Sequence, residues 1–200
     1  MGQMATTFSS FDEAFGVRPD LHEPFRDFVG LLWHRSGMDP ALLDKCRVRV
    51  AQLHRCDAAL VVDAGSDEPL AIGFAEQFVI DAHGVDQPMR DGLAEQLGMP
   101  GLVALTEALA VFDGFTRFRL MLCGNGAPSA PFEPPPAPAE PLEMPDDADP
   151  AISASVLAEQ PEALVAFLRL YGTLWSHGEV EHSIKEIARL RNARITDCGY

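Results

Sequence analysis

The 200-residue chain is expected to be all-α. Three observations point there. Apolar residues recur at i, i+3, i+4 and i+7 in almost every stretch outside one Pro-rich segment. No stretch shows convincing period-two alternation. A helix pair near the start returns near the end, without a gap, at an offset of 142 positions.

The first expected helix is "DLHEPFRDFVGLLWHRSG", with Phe25, Phe28, Val29, Leu32 and Trp33 on one face and Gly37 suited to its end. Asp39 before Pro40 is an N-cap and first-turn signal. It opens "PALLDKCRVRVAQLHRC", whose stripe is Leu42, Leu43, Cys46, Val50 and Leu53. "DEPLAIGFAEQFVIDAHG" and "DQPMRDGLAEQLG" follow, each with an acid and a proline near its start. "GLVALTEALAVFDGFTRFRLMLCG" is apolar on most sides, as a buried central helix would be.

Residues 124–150 hold nine of the sixteen prolines. Each proline fixes φ and removes a backbone donor, so no helix or sheet is expected there. The segment reads as a semi-rigid, partly polyproline linker. Residues 124–160 carry seven acids and no Lys or Arg, as a self-repelling soluble linker would. Beyond it lie two more expected helices, "PEALVAFLRLYGTLWSHG" and "VEHSIKEIARLRNARITDC". The chain therefore divides into a helical domain (1–123), the linker (124–150) and a second helical unit (151–200).

The second unit repeats the opening of the first. At the offset of 142, residues 25–56 and 167–198 share eight identities in 32 positions: Phe25/Phe167, Gly30/Gly172, Leu32/Leu174, Trp33/Trp175, Arg47/Arg189, Arg49/Arg191, Ala51/Ala193 and Cys56/Cys198. Asp44 meets Glu186, which keeps the charge. The second copy runs only a few residues past the match to Cys56, so it is expected to be an incomplete copy of a tandem protein. A two-helix piece has too little core to stand alone.

The formal net charge of −15 argues against nucleic acid and anionic membranes, since both need a basic face. The apolar share of 47% is enough for a real core. Cys46, Cys56, Cys123 and Cys198 are few and scattered and form no C-x-x-C pair. Reduced thiols in a cytoplasm are the expectation, with no disulfide framework. The start "MGQMATTFSS" lacks a signal region and fits a short myristoylation pattern that is common by chance. No apolar run is long enough to span a bilayer. "GNGAPS" lacks the third glycine and the strand of a dinucleotide loop, and the six histidines show no metal-ligand spacing, so no cofactor and no metal are expected. His34 and His54 are expected as partly buried polar ends. His182 shares a helix face with Glu186.

"KEIARLRNARITDCGY" resembles the core of the carboxymuconolactone decarboxylase and alkylhydroperoxidase D-like family, and "ALAVFDGFTRFRLML" looks like that family's late helix. The resemblance covers residues 20–123 and 160–200. Redox members of the family carry a Glu, then twelve residues later C-x-x-C, then a His. Glu186 and Cys198 have that spacing, as do Asp44 and Cys56. The resemblance implies an alkylhydroperoxidase D-like helical domain and a thiol-dependent peroxidase. A thiolate opens a peroxide O–O bond, a second Cys condenses with the sulfenic acid, a Glu with a His moves protons, and an external dithiol resets the pair.

In the first copy the second Cys position is Ala59 and the His position is Asp63, so Cys56 has no resolving partner nearby and the site is degenerate. There Cys56 is expected as a small buried apolar residue and Asp44 as a solvated charge or part of a vestigial pocket. In the second copy Glu186 and Cys198 are the expected catalytic residues. Arg189, Arg191 and Arg194 either favour a thiolate there or form an ion-paired helix face. The other readings are a non-redox enzyme acting on a lactone-type substrate and a non-catalytic partner domain. The resemblance also implies a homo-oligomer, or an intrachain pseudo-dimer of the two copies.

Overall fold

A computed structural model describes Phe8 and residues 11–56, 69–125, 132–176 and 178–196. The described residues are helical or irregular, with no strand among them. The chain is all-α. The helices are α1 (Phe11–Gly16), α2 (Pro19–His34), α3 (Pro40–Leu53), α4 (Pro69–Ile80), α5 (Gln87–Cys123), α6 (Pro150–Ser153), α7 (Pro161–Ser176) and α8 (His182–Ile195).

Local signals set most boundaries. Asp39 caps α3 by accepting from the Ala41 N–H at 2.9 Å, with Pro40 in the first turn. Such a cap contributes about 1 kcal/mol. Asp86 does the same for α5 through the Met89 N–H at 2.9 Å. The two helices expected over "DQPMRDGLAEQLG" and "GLVALTEALAVFDGF" are both present within α5, joined at a kink where Gly98 takes φ 72° two residues before Pro100. That left-handed turn is open to glycine alone at little cost. Gly37 (φ 78°) turns the chain between α2 and α3.

α5 is the core helix. Leu93, Ala104, Leu105, Ala108 and Leu109 are fully buried, and so are Leu32 on α2, Leu43, Cys46 and Val50 on α3, and Ala75 on α4. At one end Phe15, Phe25, Phe115 and Phe118 pack as a ring cluster, Phe25 and Phe115 with centroids 4.0 Å apart. By length and composition α5 passes the test for a membrane span, although the sequence reading found no such run. Its buried face instead carries the central packing of the fold.

The Pro-rich segment is neither helix nor strand over 132–149, as expected, but it is no free spacer. It lies as a strap on α2. His34 Nε2 sits 3.1 Å from the Pro135 carbonyl, and Arg35 Nη2 donates to the Pro138 carbonyl at 2.5 Å. A Cβ at Gly30 would overlap the Pro136 carbonyl, so only glycine admits the strap there. Phe132 packs on Trp33 (centroids 4.9 Å) and lies under the Arg47 guanidinium (4.9 Å). The short α6, capped by Asp149, and a 3-10 turn at Val156–Glu159 lead into α7. Neither is among the elements expected from the sequence.

α7 returns antiparallel along α2, the most extensive helix–helix contact among the described residues. Gln160 Nε2 donates to the Ser36 carbonyl at 3.1 Å, Arg35 pairs with Glu162 at 2.7 Å, and Phe28 meets Phe167 at 6.0 Å. Further along, Arg169 acts on Asp27 and Glu179 on Arg18. Ala163 and Ala166 join the same buried cluster as α2, α3 and α5, so packing crosses the linker. α8 by contrast has no buried residue, and Ile184, Ile187, Leu190 and Ile195 face outward.

Candidate functional site

Chemistry-bearing side chains ahead of the Pro-rich segment gather where α3 ends against α5. The last turn of α3 closes in a Schellman motif. The Cys56 N–H donates to the Ala51 carbonyl at 3.0 Å, and the Arg55 N–H to the Gln52 carbonyl at 2.8 Å. Arg55 occupies the left-handed position at φ 56° that glycine usually takes. The apolar contact that accompanies this motif is Ala51 against Cys56, a small buried cluster of its own.

This turn aims Cys56 at α5. The Arg119 guanidinium donates to the Cys56 sulfur. Two residues before Cys56, His54 Nε2 lies 2.5 Å from Asp113 Oδ1, and Asp113 also accepts from Arg117 Nε at 3.0 Å. Cys123, one turn beyond Arg119 on α5, is buried, and burial pushes its thiol up while Arg119 opposes that. Cys56 is 3% exposed, so only a small reagent reaches its sulfur. The arrangement combines a thiol, a cation touching it and an adjacent imidazole–carboxylate pair. It can stabilise negative charge on sulfur and holds a proton-bearing group nearby.

Of this group only Cys56 stood out in the sequence; Arg119, Asp113, Arg117 and the role of His54 did not. One signal was present: Asp113, Arg117 and Arg119 are, with Glu107, the charges in the apolar stretch 101–123 of α5. Their target was not legible, because Arg119 and Cys56 lie 63 positions apart.

Asp44 is not part of this group. It sits near the start of α3, half-exposed, and accepts from Arg47 Nε at 2.8 Å. The nine residues from Asp44 to Leu53 span about 14 Å of helix, so Asp44 and Cys56 stand at opposite ends of α3. Cys46, two residues after Asp44 but on the buried face of α3, is fully buried in the core, about ten residues of chain before Cys56. Ala59 and Asp63 lie outside the described residues, and so does Cys198.

Glu186 is described. It is exposed on α8 and gripped by Arg189, with Nε to Oε2 at 2.9 Å and Nη2 to Oε1 at 2.6 Å. That hydrogen bonding holds its carboxyl below the ordinary value. The pair matches the ion-paired helix face considered for these arginines. His182 stacks near Trp175 at 5.9 Å. Among the described residues no group of three or more His, Cys, Asp or Glu could hold a metal ion.

Compared with known proteins, the chain matches no family model, no curated protein and no solved structure.

Proposed function

We propose a carboxymuconolactone decarboxylase and alkylhydroperoxidase D-like fold for this chain, with Cys56 of the first copy as a one-cysteine site for small hydroperoxides. The observation that carries the reading is the Arg119 guanidinium set against the Cys56 sulfur. Cations beside sulfur mark reactive thiols, whereas structural cysteines sit among apolar atoms. The sulfur attacks one peroxide oxygen, the O–O bond breaks, and the alcohol or water leaves with a proton. Cys56 becomes a sulfenic acid. With Ala59 in place of a second cysteine, an external thiol must attack that sulfenic acid and release water. A second external thiol then frees Cys56 from the mixed disulfide. Turnover is accordingly slow.

In the second copy the proposal for Cys198 rests on the sequence match alone. Glu186 is tied to Arg189, which supports a positioning role for it more than proton transfer.

Trapping the sulfenic acid with a cyclic diketone and locating it by mass spectrometry tests the proposal. After treatment with hydrogen peroxide, the adduct is expected on Cys56 and not on the fully buried Cys46. Arg119→Met should slow its formation roughly tenfold, the equivalent of about 1.4 kcal/mol of charge-assisted hydrogen bond. Labelling of Cys56 no faster than of Cys46, or no change in Arg119→Met, overturns it.

A second reading, a non-catalytic partner unit, is favoured by how α2 and α7 meet. Arg169 is the 142-offset counterpart of Asp27, and the two face each other. Matched helices that cross antiparallel at matched positions form the pattern of a twofold interface. This supports an intrachain pseudo-dimer. Sedimentation of the chain as a monomer agrees with it, because the pairing surface is then used internally. A homodimer dissociated by Phe28→Glu argues against it.

A further inference from the structure

Three of the eight repeated residues, Gly30, Trp33 and Arg47, do one job in the first copy: they hold the strap. Gly30 leaves room for the Pro136 carbonyl, Trp33 packs on Phe132, and the Arg47 guanidinium lies over that ring. Asp44 holds the Arg47 guanidinium in place, with Nη2 to Oδ1 at 2.7 Å. Their counterparts in the second copy are Gly172, Trp175 and Arg189, with Glu186 for Asp44. The ion pair is built again one for one, Arg189 to Glu186 at the same i,i+3 spacing.

The second set carries no strap among the described residues. A Cβ at Gly172 would meet open space, Trp175 is half-buried, and Tyr171 and Leu174 beside it are exposed. Lys185, one turn before Arg189, donates to the Trp175 backbone carbonyl at 3.2 Å, and the rings of His182 and Tyr171 lie 5.9 and 5.8 Å from the indole, so the start of α8 sits against the end of α7. Glycine inside an exposed helix lowers its stability. At Gly172 nothing among the described residues requires it, whereas at Gly30 the strap does.

We propose that Gly172, Trp175 and Arg189 form a second docking site for an extended, acidic, Pro-rich segment with an aromatic residue at its head, presented by a partner chain. The occupant has the chemistry of residues 132–140, "FEPPPAPAE". Its ring fits between indole and guanidinium, and its prolines lie extended along α7 over Gly172. Such segments bind at low entropic cost because they are already extended. Charge supports the choice. The strap carries Glu133 and Glu140 and no base, while α8 offers Lys185, Arg189, Arg191 and Arg194 against Glu186 alone. The site depends on the residues matched between α2–α3 and α7–α8. It does not depend on Cys56 chemistry.

The probe is a fluorescent peptide of sequence PFEPPPAPAE, titrated with the full chain and read by polarisation. Saturable binding is expected. Gly172→Ala should weaken it at least tenfold while the melting temperature stays at or above that of the wild type, so loss of folding cannot explain the result. A peptide with Ala in place of Phe should bind equally poorly to both proteins. No saturable binding overturns the proposal. Equal binding to Gly172→Ala also overturns it, since the peptide would then be displacing the strap from α2. Sedimentation of the chain alone should show no dimer sensitive to Gly172→Ala. Such a dimer would assign the site to the strap of a second copy and overturn the separate partner.

Discussion

Between Ala51 and Cys56, whose backbone hydrogen bond closes α3 at 3.0 Å, the chain is turned by Arg55 at φ 56°. A side chain in the left-handed region costs about 1–2 kcal/mol relative to glycine. Arg55→Gly should therefore stabilise the fold by about 1 kcal/mol, seen as a higher urea midpoint with an unchanged slope. A loss of stability would show that Arg55 makes compensating contacts.

Glu107 gives the fold a pH dependence. Burial pushes its carboxyl up to about 7, and its Oε2 has no hydrogen-bond partner among the described residues. The folded state then keeps a proton that the unfolded state gives up near 4.5. Stability is full below that pH and falls as pH rises toward about 7, by up to about 3 kcal/mol at 1.36 kcal/mol per unit. Glu107→Gln, which stays neutral, should flatten the curve between pH 5 and 8. An unchanged pH profile in chemical denaturation would exclude Glu107 as its source.

Gly30 and Gly172 should respond in opposite ways to the same substitution. Gly30→Ala forces a Cβ into the Pro136 carbonyl and should cost about 1–3 kcal/mol as overpacking, with faster proteolysis within the strap. Gly172→Ala meets open space and should gain up to about 1 kcal/mol of helix propensity. Equal effects on melting temperature would mean that the strap does not bear on α2.

What was legible in the sequence is local in origin, although α6, which starts on the same Asp-Pro signal as α3, went unread. Asp39 and Pro40 announced the start of α3 because a cap is satisfied within three residues. The spacing of Phe25, Phe28, Val29, Leu32 and Trp33 announced the buried face of α2 because helical period is a property of the chain itself. The Pro-rich segment could be excluded from helix and sheet on the same ground. The site was only partly legible: Cys56 stood out through its match to Cys198, while Asp44 shared the right spacing and lies at the far end of α3.

Tertiary structure decided what those local pieces meet. Nothing in the neighbourhood of Cys56 names Arg119, and nothing near Gly30 names Pro136, since each pair closes a long loop whose contact has no periodic trace in the sequence. The same holds for α7, whose amphipathic pattern states that it must bury a face but leaves open that α2 supplies the partner surface. Periodicity and caps arise from steric and hydrogen-bonding limits within a few residues. The choice among distant partners arises from packing, which only the folded chain resolves.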